Sequence, residues 1–172
     1  MRVWTVGHGT RAGEELVAVL REARVRTVVD VRRFPGSRRH PQFNGDALAV
    51  ALEEAGIAYR HAPALGGRLS GEPGEERFAC IRVAAFRSYA ARMTSDAWQH
   101  ALAEELEQPA PAFLCAETLW TKCHRRLIAE QLHARGHDVV HLLAPGRAEP
   151  HVPWSIAESR DGVLRLCGER VA

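Results

Sequence analysis

The chain has 172 residues, enough to bury one real core and too few for two generous domains. No run approaches the roughly 18 apolar residues that span a bilayer, and the N-terminus lacks the basic region, apolar stretch and cleavage site of a secretion signal, so a cytoplasmic setting without a membrane partner is expected. The formal net charge of +2 is too small to predict nucleic-acid binding by itself, but residues 1–45 carry nine Arg against four acids, and Lys122 is the only lysine.

Val3-Trp4-Thr5-Val6 is β-prone and runs into Gly7-His8-Gly9, the pattern of a buried strand entering a tight loop. Leu16, Val17, Leu20 and Ala23 then recur at helical spacing over about residues 12–24, and Thr27-Val28-Val29-Asp30-Val31 reads as a second strand. A Pro/Gly/Arg-rich loop over residues 32–45, a helix over about 46–55 and a strand near Ile57-Ala58-Tyr59 repeat the pattern. Residues 62–75 hold Gly66, Gly67, Gly71, Pro73 and Gly74 and form a long loop.

Helical stretches are expected over about 76–93 and 96–107, followed by the strand Ala112-Phe113-Leu114-Cys115. A further helix runs from Lys122 to Arg135, with Gly136 as its C-cap, before the strand Val139-Val140-His141-Leu142-Leu143. The fold class is therefore α/β: a single domain with a mainly parallel sheet of about five strands and helices on both faces. Residues 1–144 form this domain, and 145–172 are an extension packed on it, with a small strand near Val163-Leu164-Arg165-Leu166.

In open parallel sheets, ligands bind beyond the carboxyl ends of the strands. That rule gathers His8 after the first strand, Asp30, Arg32, Arg33, Ser37, Arg38 and Arg39 after the second, His61, Gly66 and Gly67 after the third, and Glu117, Cys123, His124 and Arg125 after the fourth. Cys123-His124-Arg125 opens a helix, where free N–H groups and the dipole lower a thiol pKa, and a neighbouring His and Arg lower it further. Neighbours on a helix point about 100° apart, so His8 or His61 is the better partner for Cys123 and Glu117 can orient a histidine. Cys115 is the other candidate nucleophile.

With no secretion signal, Cys80, Cys115, Cys123 and Cys167 are expected as free thiols. A metal site would draw on Cys115, Glu117, Cys123 and a histidine, but the paired spacing of known zinc sites is absent, so neither metal nor cofactor is expected. Arg32, Arg33, Arg38 and Arg39, with Ser37, suit recognition of phosphate or another acidic group, and Phe34, Phe43 and Trp120 offer stacking platforms. Asp30 reads as a buried structural partner of arginine, and Gly66-Gly67 as a place of close backbone approach.

Thr5-Val6-Gly7-His8, Val29-Asp30-Val31-Arg32 with Pro35 and Ser37, Phe43, Gly56-Ile57 with Tyr59 and His61, Leu65-Gly66-Gly67, and Cys115-Ala116-Glu117 with Cys123-His124-Arg125 resemble the domain of unknown function 488 family, in order from residue 3 to about 143. The resemblance implies an α/β protein with a shared polar site and no assigned activity. Gly9-Thr10 stands where that family often has serine, and Leu119-Trp120 where proline is frequent. Cys123-His124-Arg125 is also similar to the Pro-Cys-His-Arg motif of DNA alkyltransferases, although Lys122 replaces the proline. The Val-Asp-Val-Arg strand and the strand-Cys-loop-helix unit resemble rhodanese-type sulfurtransferases, but residues 116–121 contain neither the glycine nor the arginine of a rhodanese loop.

These features lead to a cysteine-dependent enzyme, a transferase or hydrolase acting on a nucleotide or nucleic acid, with DNA repair or base modification in view. Cys123, Glu117, His8, His61 and Cys115 are the candidate catalytic residues. Arg32, Arg33, Ser37, Arg38, Arg39, Gly66, Gly67, His124 and Arg125 are the candidate phosphate or substrate contacts. The alternatives are a non-catalytic nucleotide or nucleic-acid binder and a rhodanese-like sulfurtransferase using Cys115.

Overall fold

A computed structural model describes residues 1–171. Strand β1 (Arg2–Gly7) leads into helix α1 (Gly13–Glu22), which buries Leu16, Val19 and Leu20 along one face. Glu14 and Glu15 in its first turn and Arg21 in its last complement the helix dipole. Strand β2 (Thr27–Asp30) is buried at every position, as a strand covered on both faces must be. Helix α2 (Gly45–Glu54) and strand β3 (Ala58–His61) complete a second unit.

Helices α3 (Ala84–Met93) and α4 (Asp96–Leu106) precede strand β4 (Pro111–Cys115), and α5 (Arg125–Ala134) precedes β5 (Asp138–Ala144). The Ser95 side chain accepts the Trp98 N–H and caps α4, while Gly136 at φ +81° lets the chain leave α5. The helix expected over 76–93 is interrupted: Glu75–Phe78 makes only a 3₁₀ turn, and α3 starts at Ala84. The helix expected from Lys122 likewise starts at Arg125, after a 3₁₀ turn at Trp120–Lys122.

The main sheet has six strands in the order β3-β2-β4-β1-β5-β6, all parallel except β6 (Arg147–Pro150), which pairs antiparallel with β5. The expected mainly parallel α/β architecture is present, with one more strand than sequence periodicity indicates. One face packs Val6, Val28 and Leu114 against α1 and α2; the other packs Val29, Phe113 and Cys115 against α3, α4 and α5. A smaller antiparallel sheet of β7 (Ala157–Arg160), β8 (Val163–Leu166) and β9 (Glu169–Arg170) adds Leu164 and Leu166 to the second core.

Cys80 and Cys167 are joined by a disulfide with Cα atoms 5.7 Å apart, which fastens the small sheet to the segment before α3. This corrects the expectation of four free thiols, because the fold brings two cysteines 87 positions apart within bridging distance. Among the described residues, no helix is long and apolar enough to cross a membrane.

Candidate functional site

The sheet order places β4 between β2 and β1, so three carboxyl ends lie side by side at the middle of the sheet. The registers pair Gly7 with Cys115 and Asp30 with Leu114, and the loops continue the ladder: His8 N–H donates to the Cys115 carbonyl at 3.0 Å, and Val31 N–H to the Leu114 carbonyl at 3.0 Å. Cys115 therefore emerges between His8 and Arg32.

A cavity of about 640 Å³ opens at this point. His8, Cys115, Cys123 and His124 line it together with Arg32, Arg33, Ser37, Arg39, Gly67 and Glu117. Arg38, His61, Gly66 and Arg125, all expected at the site, do not line it. His61 is exposed and its Nε2 bonds the Arg32 carbonyl at 2.8 Å, so it supports the loop from outside. Arg38 is exposed on the loop outside the cavity lining, and Gly66 makes room for its neighbour, since a Cβ there would lie 2.9 Å from Arg33 Cβ.

Arg32 and Arg125 occupy structural positions that sequence cannot distinguish from ligand-binding ones. Arg32 Nε donates to Asp30 Oδ1 at 2.8 Å, its Nη2 reaches Oδ2, and Tyr59 Oη donates to the same carboxylate at 2.8 Å. Both partners of the ion pair are buried. Arg125, 1% exposed, donates from Nη2 to the carbonyls of Glu117 and Thr118 at 2.5 and 3.3 Å and from Nη1 to Thr5 Oγ1 at 3.4 Å. It braces the loop between the two cysteines from below. Burial pushes its guanidinium down to about 9, which still leaves it charged at neutral pH. Gly7 is required beside this brace, because any Cβ would strike the Glu117 carbonyl.

The remaining cations stand at the rim: Arg33, Arg39, Arg68 and Lys122 are exposed there, with Phe34 66% exposed among them. Arg68 holds φ at +60°, a conformation costly for a residue with a Cβ and one that clusters at ligand-binding sites. Sequence spacing carries no signal for Arg68 or for Phe86, which enters the cavity from α3; only the long glycine loop marked the first. Phe43 and Trp120 are not platforms for a ligand. Phe43 is buried against the His8 ring at 4.5 Å, and Trp120 stacks on His141 at 4.0 Å.

The thiol centre lies on the floor. Arg125 N–H points to Cys123 Sγ at 3.4 Å, and His124 Nδ1 is 3.6 Å from the same sulfur. The Cys123 and Cys115 sulfurs are in contact, so these two thiols are also paired rather than separate. Consecutive residues Cys123 and His124 converge because Cys123 has extended backbone (φ −130°, ψ 154°) and His124 helical backbone (φ −56°, ψ −18°); a continuous helix would splay them. Burial pushes His124 down to about 4, opposed in part by the Val31 backbone, so the ring is neutral at physiological pH. Burial likewise pushes His8 down to about 4. His8 Nδ1 donates to the Gly9 carbonyl at 2.9 Å, which can only accept, and Nε2 keeps the lone pair.

No curated protein and no solved structure matches the chain. The family described as "Domain of unknown function DUF488" matches residues 12–132, a span that runs from α1 into α5 and holds every cavity-lining cysteine, histidine and arginine except His8. With well over half of its length matched, the chain belongs to the DUF488 family.

Proposed function

We propose that the protein is a cysteine-dependent enzyme, a transferase or hydrolase, acting on a nucleotide or nucleic acid. The observation that carries this reading is a single cavity with Cys123 on its floor, Arg33, Arg39, Arg68 and Lys122 around its mouth, and the exposed Phe34 ring beside them. The cations match phosphate oxygens and the ring matches the face of a base. In the reduced protein the Arg125 N–H and the start of α5 stabilise a Cys123 thiolate. The thiolate attacks an electrophilic centre of the bound substrate, forming a bond to sulfur as the leaving group departs with the broken bond's electron pair. His8 and Glu117, which both line the cavity, serve as acid–base groups. The chemistry needs Cys115 and Cys123 reduced, which a cytoplasmic setting favours, while the Cys80–Cys167 bridge lies outside the cavity.

Limited iodoacetamide treatment of the reduced chain, read by mass spectrometry, tests the reading. Cys123 is expected to be alkylated well before the other three cysteines, and protected by a nucleotide or oligonucleotide. Equal labelling of all four would exclude a special thiol and leave a non-catalytic binder, which needs only the rim. A persulfide on Cys115 after thiosulfate treatment would favour sulfur transfer instead.

A further inference from the structure

The floor of the cavity holds more than a nucleophile. One ligand atom from each of Cys115, Cys123 and His124 lies within 4.8 Å of the others. They reach this point from the end of β4 and from the extended-to-helical break before α5. We propose that Cys115, Cys123 and His124 form a three-ligand site for a divalent metal of zinc's type, with a fourth position open to the cavity.

Three features carry the assignment. The Cα atoms of Cys115 and Cys123 are 7.7 Å apart, beyond the range of about 4.4–6.8 Å that a disulfide normally spans. The backbone thus aims two sulfurs at a common point from Cα positions set wider than a disulfide favours, although the sulfurs themselves meet. The 3.6 Å from Cys123 Sγ to His124 Nδ1 equals the roughly 3.6 Å separation that tetrahedral zinc imposes on a thiolate and an imidazole at its usual bond lengths. Finally, the Gly67 backbone passes beside the ligating edge of the ring, and a Cβ there would lie 2.6 Å from His124 Nδ1. Only glycine leaves that nitrogen accessible.

Two thiolates and an imidazole form a soft donor set that suits zinc over magnesium or calcium. Three protein ligands with an open position are the arrangement of a reactive centre rather than a closed structural one. Once a thiol reductant has converted the Cys115–Cys123 pair to two thiols, binding displaces their protons to solvent, and a coordinated thiol is held deprotonated. The site uses the same cavity as the proposed enzyme but does not depend on Cys123 being its nucleophile.

The test uses the full chain, purified under reducing conditions, stripped with a chelator and titrated with zinc or with cobalt(II). The expected result is one metal per chain and, for cobalt, a sulfur-to-metal charge-transfer band with the visible bands of a four-coordinate ion. Loss of even an outer-shell partner weakens metal binding by about 10–100-fold, so Cys115→Ser, Cys123→Ser and His124→Ala should each weaken it by at least about tenfold. Substoichiometric metal and no charge-transfer band in the folded, reduced wild type would overturn the proposal, whatever the variants do. So would a Cys115–Cys123 crosslink that survives the reductant. Iodoacetamide labelling of the metal-free chain separates the two ideas: selective Cys123 alkylation without metal binding removes the metal and leaves the thiol enzyme, and metal binding without selective alkylation does the reverse.

Discussion

Gly67 lies so close to His124 that a Cβ at position 67 would sit 2.6 Å from the ring's Nδ1. The Gly67→Ala variant must therefore displace the imidazole. A stability loss of about 1–3 kcal/mol is expected from overpacking, measured by urea denaturation. In a His124→Ala background the same substitution should cost little, and an unchanged cost there would show that the ring is not what Gly67 accommodates.

The arginines divide by partner. Arg39→Ala and Arg68→Ala should weaken oligonucleotide binding and each reduce the slope of log affinity against log salt by about one. Arg32→Ala should instead destabilise the fold by about 3–5 kcal/mol, because it leaves the fully buried Asp30 carboxylate without its cation. Salt-dependent fluorescence anisotropy and thermal melts distinguish the two classes; equal effects on binding and none on stability would contradict the division.

His141 supplies a pH dependence. Its Nδ1 bonds Thr5 Oγ1 at 2.7 Å, its Nε2 bonds His151 Nδ1 at 3.1 Å, and Trp120, itself donating to Glu149, covers its face. Glu130 stands 3.4 Å from the far side of His151. Burial above all, then His151 and Arg125, pushes His141 down to about 3 from an ordinary 6.5. The folded state thus favours the neutral ring, and its stabilisation is complete above pH 6.5 and is lost as pH falls toward 3. Between pH 6.5 and about 5 the loss should approach roughly 2 kcal/mol. His141→Asn should make that part of the stability profile shallower by that amount, the remaining slope coming from His8 and His124, which burial also lowers to about 4.

Reduction of Cys80–Cys167 frees a loop of 87 positions. The loss should be about 2–4 kcal/mol, and Cys80→Ser with Cys167→Ser should reproduce it without altering labelling at Cys123. A double variant as stable as the oxidised chain would show that the bridge adds nothing to the packing of Leu164 and Leu166.

Local pattern made much of this protein legible. The alternation of apolar strands with helices at 3.6-residue spacing marked β1 to β5 and the cores of α1, α2, α4 and α5, and the strand-end rule gathered most of the cavity wall. The break at residues 79–83 escaped because Phe78 and Ile81, both buried, continue an apolar spacing that a helix would also show. β6 escaped because its Arg-Ala-Glu-Pro sequence has no strand periodicity and is held only by pairing with β5.

By itself, the sequence determined the layered α/β architecture and the residue types available at the strand ends, since burial periodicity and glycine placement are local properties of the chain. Only the tertiary structure decided which of those residues share a cavity. Strand order is a long-range property, and the insertion of β4 between β2 and β1 is what seats Cys115 between His8 and Arg32. The same packing consigned Arg32 and Arg125 to buried braces while leaving Arg33, Arg39 and Arg68 in water. It also turned Cys123 and His124 toward one point, through a backbone break that no residue spacing encodes.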